Sequence, residues 1–174
     1  MPEDITIKTA SSTEDIQTIA TLAREIWTQH YTPIIGAEQV AYMLEHFQSR
    51  SAIEADIAKG CVYSLAYSGS EPCGYSAVRL DEDGLFLSKL YVREAARGLG
   101  IAQAMLNAAE AAARKAGAVR IWLTCNKYNT GSLAAYERMG FMRISDIVTD
   151  IGNSYVMDDY VMEKRLTSDS AGQP

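Results

Sequence analysis

The 174-residue sequence has little cysteine or histidine and no long apolar run. Its three cysteines, Cys61, Cys73 and Cys125, are odd in number and lack metal-ligand spacing, so we expect buried free thiols in a reducing cytoplasm. The two histidines, His30 and His46, form no ligand pattern with cysteines or carboxylates, and no metal is expected. No stretch approaches the ~18 apolar residues of a membrane span, so we expect no membrane association.

The sequence also lacks an excess of basic charge. Its formal net charge is -6 at pH 7, which disfavours a nucleic-acid partner because phosphate binding needs a basic face. The acidic pair Glu3 and Asp4 argues against a signal peptide. With 48% hydrophobic residues, the chain can bury a full core. We expect a single domain over residues 1–174, with an ordered core at about 5–166 and a frayed tail at 167–174.

Apolar periodicity predicts a mixed α/β fold. A strand around Ile5 and Ile7 precedes a helix that Thr13 caps, and a final hairpin closes on a four-residue loop at 151–154. The unit of strand 85–92, helix 100–115 and strand 119–124 implies a parallel pair with a right-handed crossover. The helix that Thr13 caps covers 13–29, and further helices are predicted at 40–47, 50–58 and 129–140. The final hairpin consists of strands at 142–150 and 155–165, and two further strands are predicted at 61–67 and 73–80.

The segment after the strand at 85–92 carries the clearest functional signal, because a glycine turn there opens a helix. The first amides of a helix have no intrahelical partner and carry the positive end of the macrodipole, and glycines let an anion approach without a Cβ clash. The turn therefore predicts a phosphate site, although a plain tight connection has the same composition. The residues concerned are Leu90, Tyr91, Val92, Arg97, Gly98, Leu99, Gly100, Ile101 and Ala102.

A second pattern follows one helix and one strand later, where Asn129 and Ser132 open a short helix that carries Tyr136 and ends at Gly140 and Phe141. With both patterns, the chain resembles the GNAT superfamily of acyl-CoA-dependent N-acetyltransferases. The family's pyrophosphate loop reads Gln/Arg-x-x-Gly-x-Gly/Ala, and its later helix reads Asn-x-x-Ala-x-x-x-Tyr-x-x-x-Gly-Phe. The spacing differs from the Gly-x-Gly-x-x-Gly turn of dinucleotide-binding proteins and from Gly-x-x-x-x-Gly-Lys-Ser/Thr.

Arg97, Gly100 and Ala102 match the first motif, and the second motif is matched except that Ser132 stands where alanine is usual. The segments at 27–43 and 155–162 look like the bacterial branch that contains polyamine N-acetyltransferases. The resemblance implies the GNAT fold. In that fold, a central, mixed and mostly antiparallel sheet of about seven strands is flanked by helices, with a V-shaped splay between the fourth and fifth strands.

The resemblance also implies an activity, the transfer of the acetyl group of acetyl-CoA to a primary amine of a polyamine-like small molecule or a peptide. The amides of 97–102 would cradle the pyrophosphate, and 90–92 would hold pantetheine and polarise the thioester. Asn129 and Ser132 would reach the cofactor arm, although Asn129 is equally suited to an N-cap role. Tyr136 would protonate the leaving thiolate, since a phenol of pKa ~10 stays protonated at neutral pH. A homodimer is possible by family analogy.

Deprotonation of the amine is the harder step, because an amine of pKa about 10.4 is neutral only about one part in a thousand near pH 7.4. Some family members carry a glutamate on the central strand for this purpose, and Ser88 stands there in this chain. Glu25, His30, Tyr31 and the acidic loop at 81–83 are substitutes, but each is also typical of a solvated surface. The sequence therefore names no general base.

Two further pairs have both a functional and a structural interpretation. Trp27 and Tyr31, four apart on the first helix, either line the acceptor pocket or pack in the core. Asp158 and Asp159 could attract a distal ammonium group, but neighbouring strand residues face opposite ways, so at most one can point inward. The alternatives to an enzyme are a non-catalytic acyl-CoA-binding module and an interaction domain with no CoA site.

Overall fold

The computed structural model describes residues 4–166, and the predicted tail at 167–174 lies outside the described residues. Within 4–166 the chain forms seven strands, five α-helices and one 3-10 turn. The strands are β1 (Ile5–Thr9), β2 (Val62–Ser68), β3 (Glu71–Asp81), β4 (Gly84–Val92), β5 (Arg120–Asn126), β6 (Met142–Gly152) and β7 (Tyr155–Arg165). The helices are α1 (Thr13–Ile35), α2 (Ala37–Phe47), α3 (Arg50–Ala58), α4 (Ile101–Lys115) and α5 (Thr130–Arg138).

The strands form a seven-stranded sheet in the order β1-β2-β3-β4-β5-β7-β6. β4 and β5 are parallel, whereas β1–β2, β2–β3, β5–β7 and β6–β7 are antiparallel. This mixed, mostly antiparallel sheet with its helices confirms the predicted fold class. The β4–β5 ladder joins Leu85 to Ile121 and Phe86 to Trp122 within the described residues, although both strands continue well beyond these pairs.

The chain divides into two compact units, of which the first comprises the residues up to Arg79 and Lys89–Ala109. In this unit α1 packs against α2 and α3. Ser12, rather than the predicted Thr13, caps α1, because the Ser12 side chain accepts the Asp15 N–H and the Asp15 carboxylate accepts the Ser12 N–H.

The first helix is also longer than its predicted end at residue 29. Pro33 lies inside the last turn of α1, where its missing N–H removes one helical hydrogen bond without ending the helix, which continues to Ile35. It ends at Gly36, whose φ of 89° is a conformation that glycine adopts at little cost. The prediction was wrong because it took the proline and glycine together as a break.

The second unit comprises Leu80–Ser88 and the described residues from Glu110 onward. β5 pairs with β7 along its whole length, from Arg120 opposite Arg165 to Asn126 opposite Asp159. The β6–β7 turn contains two residues rather than the predicted four, because β6 extends to Gly152. Asn153 and Ser154 form this turn with φ values of 52° and 65°, the left-handed geometry that matches the twist of a tight hairpin.

The three cysteines are free and buried, as predicted. Cys73 and Cys125 lie on β3 and β5, and Cys61 directly precedes β2. Across residues 4–166, no helix combines the length and apolar character that crossing a membrane requires. Over the same range, no three metal-ligating side chains lie close enough together to hold an ion.

Candidate active site

The turn between β4 and α4 has the geometry of an anion-binding loop. After β4 ends at Val92, the chain makes a 3-10 turn at Glu94–Ala96, and the Arg97 Nε donates to the Val92 carbonyl over 3.3 Å. Gly98 and Gly100 have φ values of 80° and 83°. α4 then begins at Ile101, whose side chain is 1% exposed and anchors the helix in the core.

Space is available in front of this turn. A Cβ built on Gly98 or Gly100 would meet no atom within 4 Å, so the backbone amides there can be approached closely. The positive end of the α4 dipole adds to the positive charge of exposed Arg97. This arrangement suits an anionic group such as a pyrophosphate, and the binding of acyl-CoA here stays a prediction.

The strand that leads into the turn packs closely against its neighbours. Leu90 and Val92 pack against the buried cluster that contains Ile101 and Met105. The chain approaches β4 closely at Gly74, where an added Cβ would lie 2.7 Å from the carbonyl oxygen of Tyr91. The positions of 90–92 are therefore set by close packing.

Trp27 and Tyr31 belong to an aromatic cluster centred on Tyr91. Their rings are stacked at 4.3 Å between centroids, and Tyr91 lies 5.5 Å from Trp27 and 6.3 Å from Tyr31. Tyr75 completes the cluster at 5.3 Å from Tyr91. Trp27 and Tyr31 are only 3% and 8% exposed, so they pack in the core beside a predicted pantetheine residue. A role in acceptor binding stays a prediction.

Lys89 is a buried cation that the sequence analysis did not identify. Its side chain is 8% exposed, and its Nζ donates to the Phe47 carbonyl and to the Tyr63 hydroxyl, each over 2.6 Å. The Tyr63 hydroxyl donates to Asp56 over 2.6 Å, and Asp56 lies 3.6 Å from the ammonium. Burial lowers the pKa of Lys89 to about 8, although Asp56 opposes the shift.

A sequence signal for Lys89 does exist. In the run from Leu85 to Tyr91, alternate residues share one face of the strand, and Leu85 and Leu87 are apolar and buried. Lys89 continues this buried face, so its ammonium needs buried partners. The residues that supply them lie on α2, α3 and β2, far away in the sequence.

The substitutes for a general base are placed as follows. Glu25 accepts from the Arg93 guanidinium, with its Oε2 2.7 Å from Nε and its Oε1 3.2 Å from Nη2. His30 packs edge-on against Tyr31 at 4.8 Å. In the acidic loop, the Asp81 carboxylate accepts the Asp83 N–H over 2.8 Å. The Glu25 carboxylate is thus paired with Arg93, and the Asp81 carboxylate accepts a backbone hydrogen bond within its own loop.

The second unit contains the other predicted site residues on one helix. Asn129 is 2% exposed, and its side chain caps α5 by accepting the Ser132 N–H over 3.4 Å. Tyr136 is half-buried, with its ring edge-on to Phe141 at 5.6 Å. The N-cap interpretation of Asn129 is therefore correct as far as the fold is concerned, and roles for Asn129, Ser132 and Tyr136 toward a cofactor stay predictions.

Comparison with known proteins identifies the family. The family model for the Acetyltransferase (GNAT) family matches residues 19–141. The chain belongs to this family, as its two motifs predicted.

Individual relatives add detail. An uncharacterized N-acetyltransferase of Mycobacterium tuberculosis (strain H37Rv) is 34% identical over 94 residues, which are 53% of this chain and 60% of that relative. The spermidine N(1)-acetyltransferase of Thermoplasma acidophilum is 24% identical over 162 residues, 90% of this chain and 95% of the relative. The crystal structure of PaiA N-acetyltransferase from Thermoplasma acidophilum, in complex with coenzyme A, superposes with a TM-score of 0.81 at 23% identity, covering 94% and 99% of the two chains. This last similarity supports the fold.

Proposed function

We propose that this protein is an N-acetyltransferase that uses acetyl-CoA to acetylate a primary amine, with polyamines as the favoured acceptor class. The observation that carries the proposal is the turn at the start of α4, where two left-handed glycines face open space beside Arg97. A helix N-terminus of this form suits a pyrophosphate, and the chain belongs to a family of acetyltransferases.

Each group in the reaction has a candidate in this chain. The amides of 98–102 and the Arg97 guanidinium bind the pyrophosphate, and the backbone of Leu90 and Val92 orients the pantetheine arm. The acyl-CoA supplies an activated acetyl group as its thioester. Tyr136 gives a proton to the leaving sulfur, whose conjugate thiol has a pKa of about 8.5. The amine attacks directly, without an acyl-enzyme.

The acceptor class rests on two observations. The relative that matches 90% of this chain is named a spermidine N(1)-acetyltransferase, and the net charge of -6 favours the approach of a cationic substrate. A peptide amine is the alternative acceptor.

Release of CoA thiol tests the activity and the role of Tyr136 together. Acetyl-CoA is supplied with spermidine, spermine, diamines, aminoglycosides, amino acids or N-terminal peptides. We expect turnover on polyamines, and Tyr136→Phe should lower kcat at least ~10-fold because the proton donor is lost. Tyr128→Phe, at a tyrosine that is 71% exposed, is the matched control. Acetyl-CoA binding without turnover on any acceptor would instead favour a non-catalytic acyl-CoA-binding module.

Binding of CoA tests the loop itself. Gly100→Glu places a carboxylate against the predicted pyrophosphate position and should abolish CoA binding in calorimetry. The matched control is Gly117→Glu at the other end of α4, where φ is 79° and the added Cβ also meets open space. The two variants carry similar backbone strain, so equal loss of CoA binding in both would contradict the proposed role of the loop.

A further inference from the structure

Asp159 is a buried carboxylate on β7 whose hydrogen bonding is incomplete. It is 6% exposed, and its Oδ1 has no hydrogen-bond partner within the described residues. The Thr124 side chain on β5 hydrogen-bonds the carboxylate. Burying a carboxylate costs free energy unless a cation or hydrogen-bond donors compensate for the lost hydration. The Oδ1 of Asp159 is therefore suited to bind a cationic hydrogen-bond donor.

The adjacent Asp158 has a different environment. Its side chain is 38% exposed and forms a 3.1 Å ion pair with Lys127. Because neighbouring strand residues point to opposite faces, only Asp159 shares a face with Thr124 and Asn126. The structure therefore distinguishes the two aspartates, which the sequence alone could not: Asp159 is buried, and Asp158 is partly exposed and paired with Lys127.

Asp159 also lies beside the turn that leads into α5. It pairs across the ladder with Asn126, the last residue of β5. The Asn126 carbonyl accepts the Asn129 N–H over 3.0 Å, and the Lys127 N–H donates to the Asp158 carbonyl over 3.1 Å. The backbone around Asp159 is thus joined by hydrogen bonds to the segment that carries Asn129 and, on α5, Tyr136.

We propose that Asp159 binds the ammonium group of the acceptor and removes its proton, an inference that rests on the proposed function. The ammonium gives one proton to the Asp159 carboxylate, and the freed lone pair forms the N–C bond to the thioester carbonyl. The C–S bond then breaks, and Tyr136 protonates the sulfur. The nitrogen loses its second proton as the amide forms, which restores the Tyr136 phenol through solvent, and Asp159 returns its proton to water.

The electrostatics of the surroundings agree with this role. The pKa of Asp159 is raised to about 6, chiefly by burial and to a smaller extent by the Asp158 charge, while Thr124 and Lys127 oppose the shift. At pH 7.4 the carboxylate is therefore mainly ionised, yet it is a stronger base than an exposed aspartate. Burial raises the pKa of neighbouring Cys125 to about 12, so its thiol stays neutral and does not compete for the proton.

The test compares Asp159→Asn with Asp158→Asn in the full chain. With spermidine and acetyl-CoA, we expect Asp159→Asn to lower kcat/KM at least ~10-fold and to remove the acidic limb of its pH profile. Calorimetric affinity for CoA should stay within about twofold in both variants. Asp158→Asn should keep kcat/KM near the wild-type value at pH 7.4 and retain an acidic limb, which moves to lower pH because Asp158 no longer raises the pKa of Asp159. If Asp159→Asn matches the wild type in kcat/KM, the inference is overturned while the proposed function stands.

Two further measurements cover the remaining outcomes. If the wild type turns over no amine, the proposed function fails, and calorimetry with spermidine in the presence of CoA decides the inference. If Asp159→Asn binds spermidine at least ~10-fold more weakly than the wild type does, the result supports the inference. Equal affinity in the two proteins, or no spermidine binding by the wild type, overturns it. If Asp159→Asn does not fold, Thr124→Val retains the carboxylate but removes a donor, and it should move the acidic limb to higher pH. An unmoved limb overturns the inference.

Discussion

Replacing Lys89 by methionine should change how the stability of the protein depends on pH. The substitution removes the buried ammonium that joins β4 to Phe47, Tyr63 and Asp56 and keeps a side chain of similar length. Burial lowers the pKa of Lys89 from 10.5 to about 8 in the folded protein. Between these two pH values the unfolded chain binds more protons than the folded one, so the free energy of unfolding rises with pH.

The size of this effect follows from the two pKa values. A depression from 10.5 to about 8 corresponds to ~3 kcal/mol in total, of which ~2 kcal/mol is gained between about pH 7.5 and pH 9.5. Tyr63 acts in the opposite direction at higher pH, because burial raises its pKa while the unfolded phenol ionises near its ordinary value. The useful window therefore closes at about pH 9.5.

Urea unfolding at several pH values between these limits provides the measurement. The unfolding free energy of the wild type minus that of Lys89→Met should rise by ~2 kcal/mol across the window, because titrating groups that do not contact Lys89 cancel in the difference. Lys59→Met, at an exposed lysine after α3, should give a constant difference. If the difference in unfolding free energy between the wild type and Lys89→Met does not change with pH, burial does not lower the pKa of Lys89 and the reasoning is refuted.

Three further predictions concern packing, acid stability and thiols. Gly74→Ala places a Cβ 2.7 Å from the Tyr91 carbonyl and should lower the unfolding free energy by about 1–3 kcal/mol in urea titrations, whereas Gly131→Ala in α5 meets open space and should not destabilise. The Ser11 N–H, the Lys8 ammonium and the Ser12 N–H together lower the pKa of Asp15 to about 2, so its contribution of ~2 kcal/mol is present above about pH 4 and lost as pH falls through 2; Asp15→Asn should remove this dependence in acid unfolding curves. Because burial raises the pKa of Cys125 to about 12, a thiol reagent at about pH 8 should label it only after denaturation, and rapid native labelling would contradict this.

The sequence predicted the elements that local patterns define. The glycine turn, the helix at α4 and the final hairpin follow from hydrophobic period and turn residues within short windows, and they lie where they were expected. Two errors arose where neighbouring residues could each take the same role. Ser12 caps α1 in place of Thr13, and the left-handed conformation of Asn153 allows a turn that is shorter than the predicted loop. Both the cap and the turn depend on the backbone angles of several adjacent residues, which residue types alone do not determine.

The polar contacts of the site could not be predicted because they join distant parts of the chain. Lys89 and Phe47 are 42 positions apart, and Arg93 and Glu25 are 68 apart. No periodicity reports such pairs, since they depend on how helices settle on the sheet. The sequence did predict that at most one of Asp158 and Asp159 points inward, but only the structure distinguishes them.

The pairing of β5 has a consequence for folding during synthesis. β5 forms a full antiparallel ladder with β7, which is the last described strand, and within the described residues its parallel ladder with β4 contains two residue pairs. While the ribosome is still translating 155–165, β5 therefore lacks the neighbour that would satisfy most of its backbone groups. Strand edges exposed in this way promote misassembly. The nascent chain should consequently depend on holding chaperones until β7 emerges, and a nonsense mutation near residue 150 should produce an insoluble product.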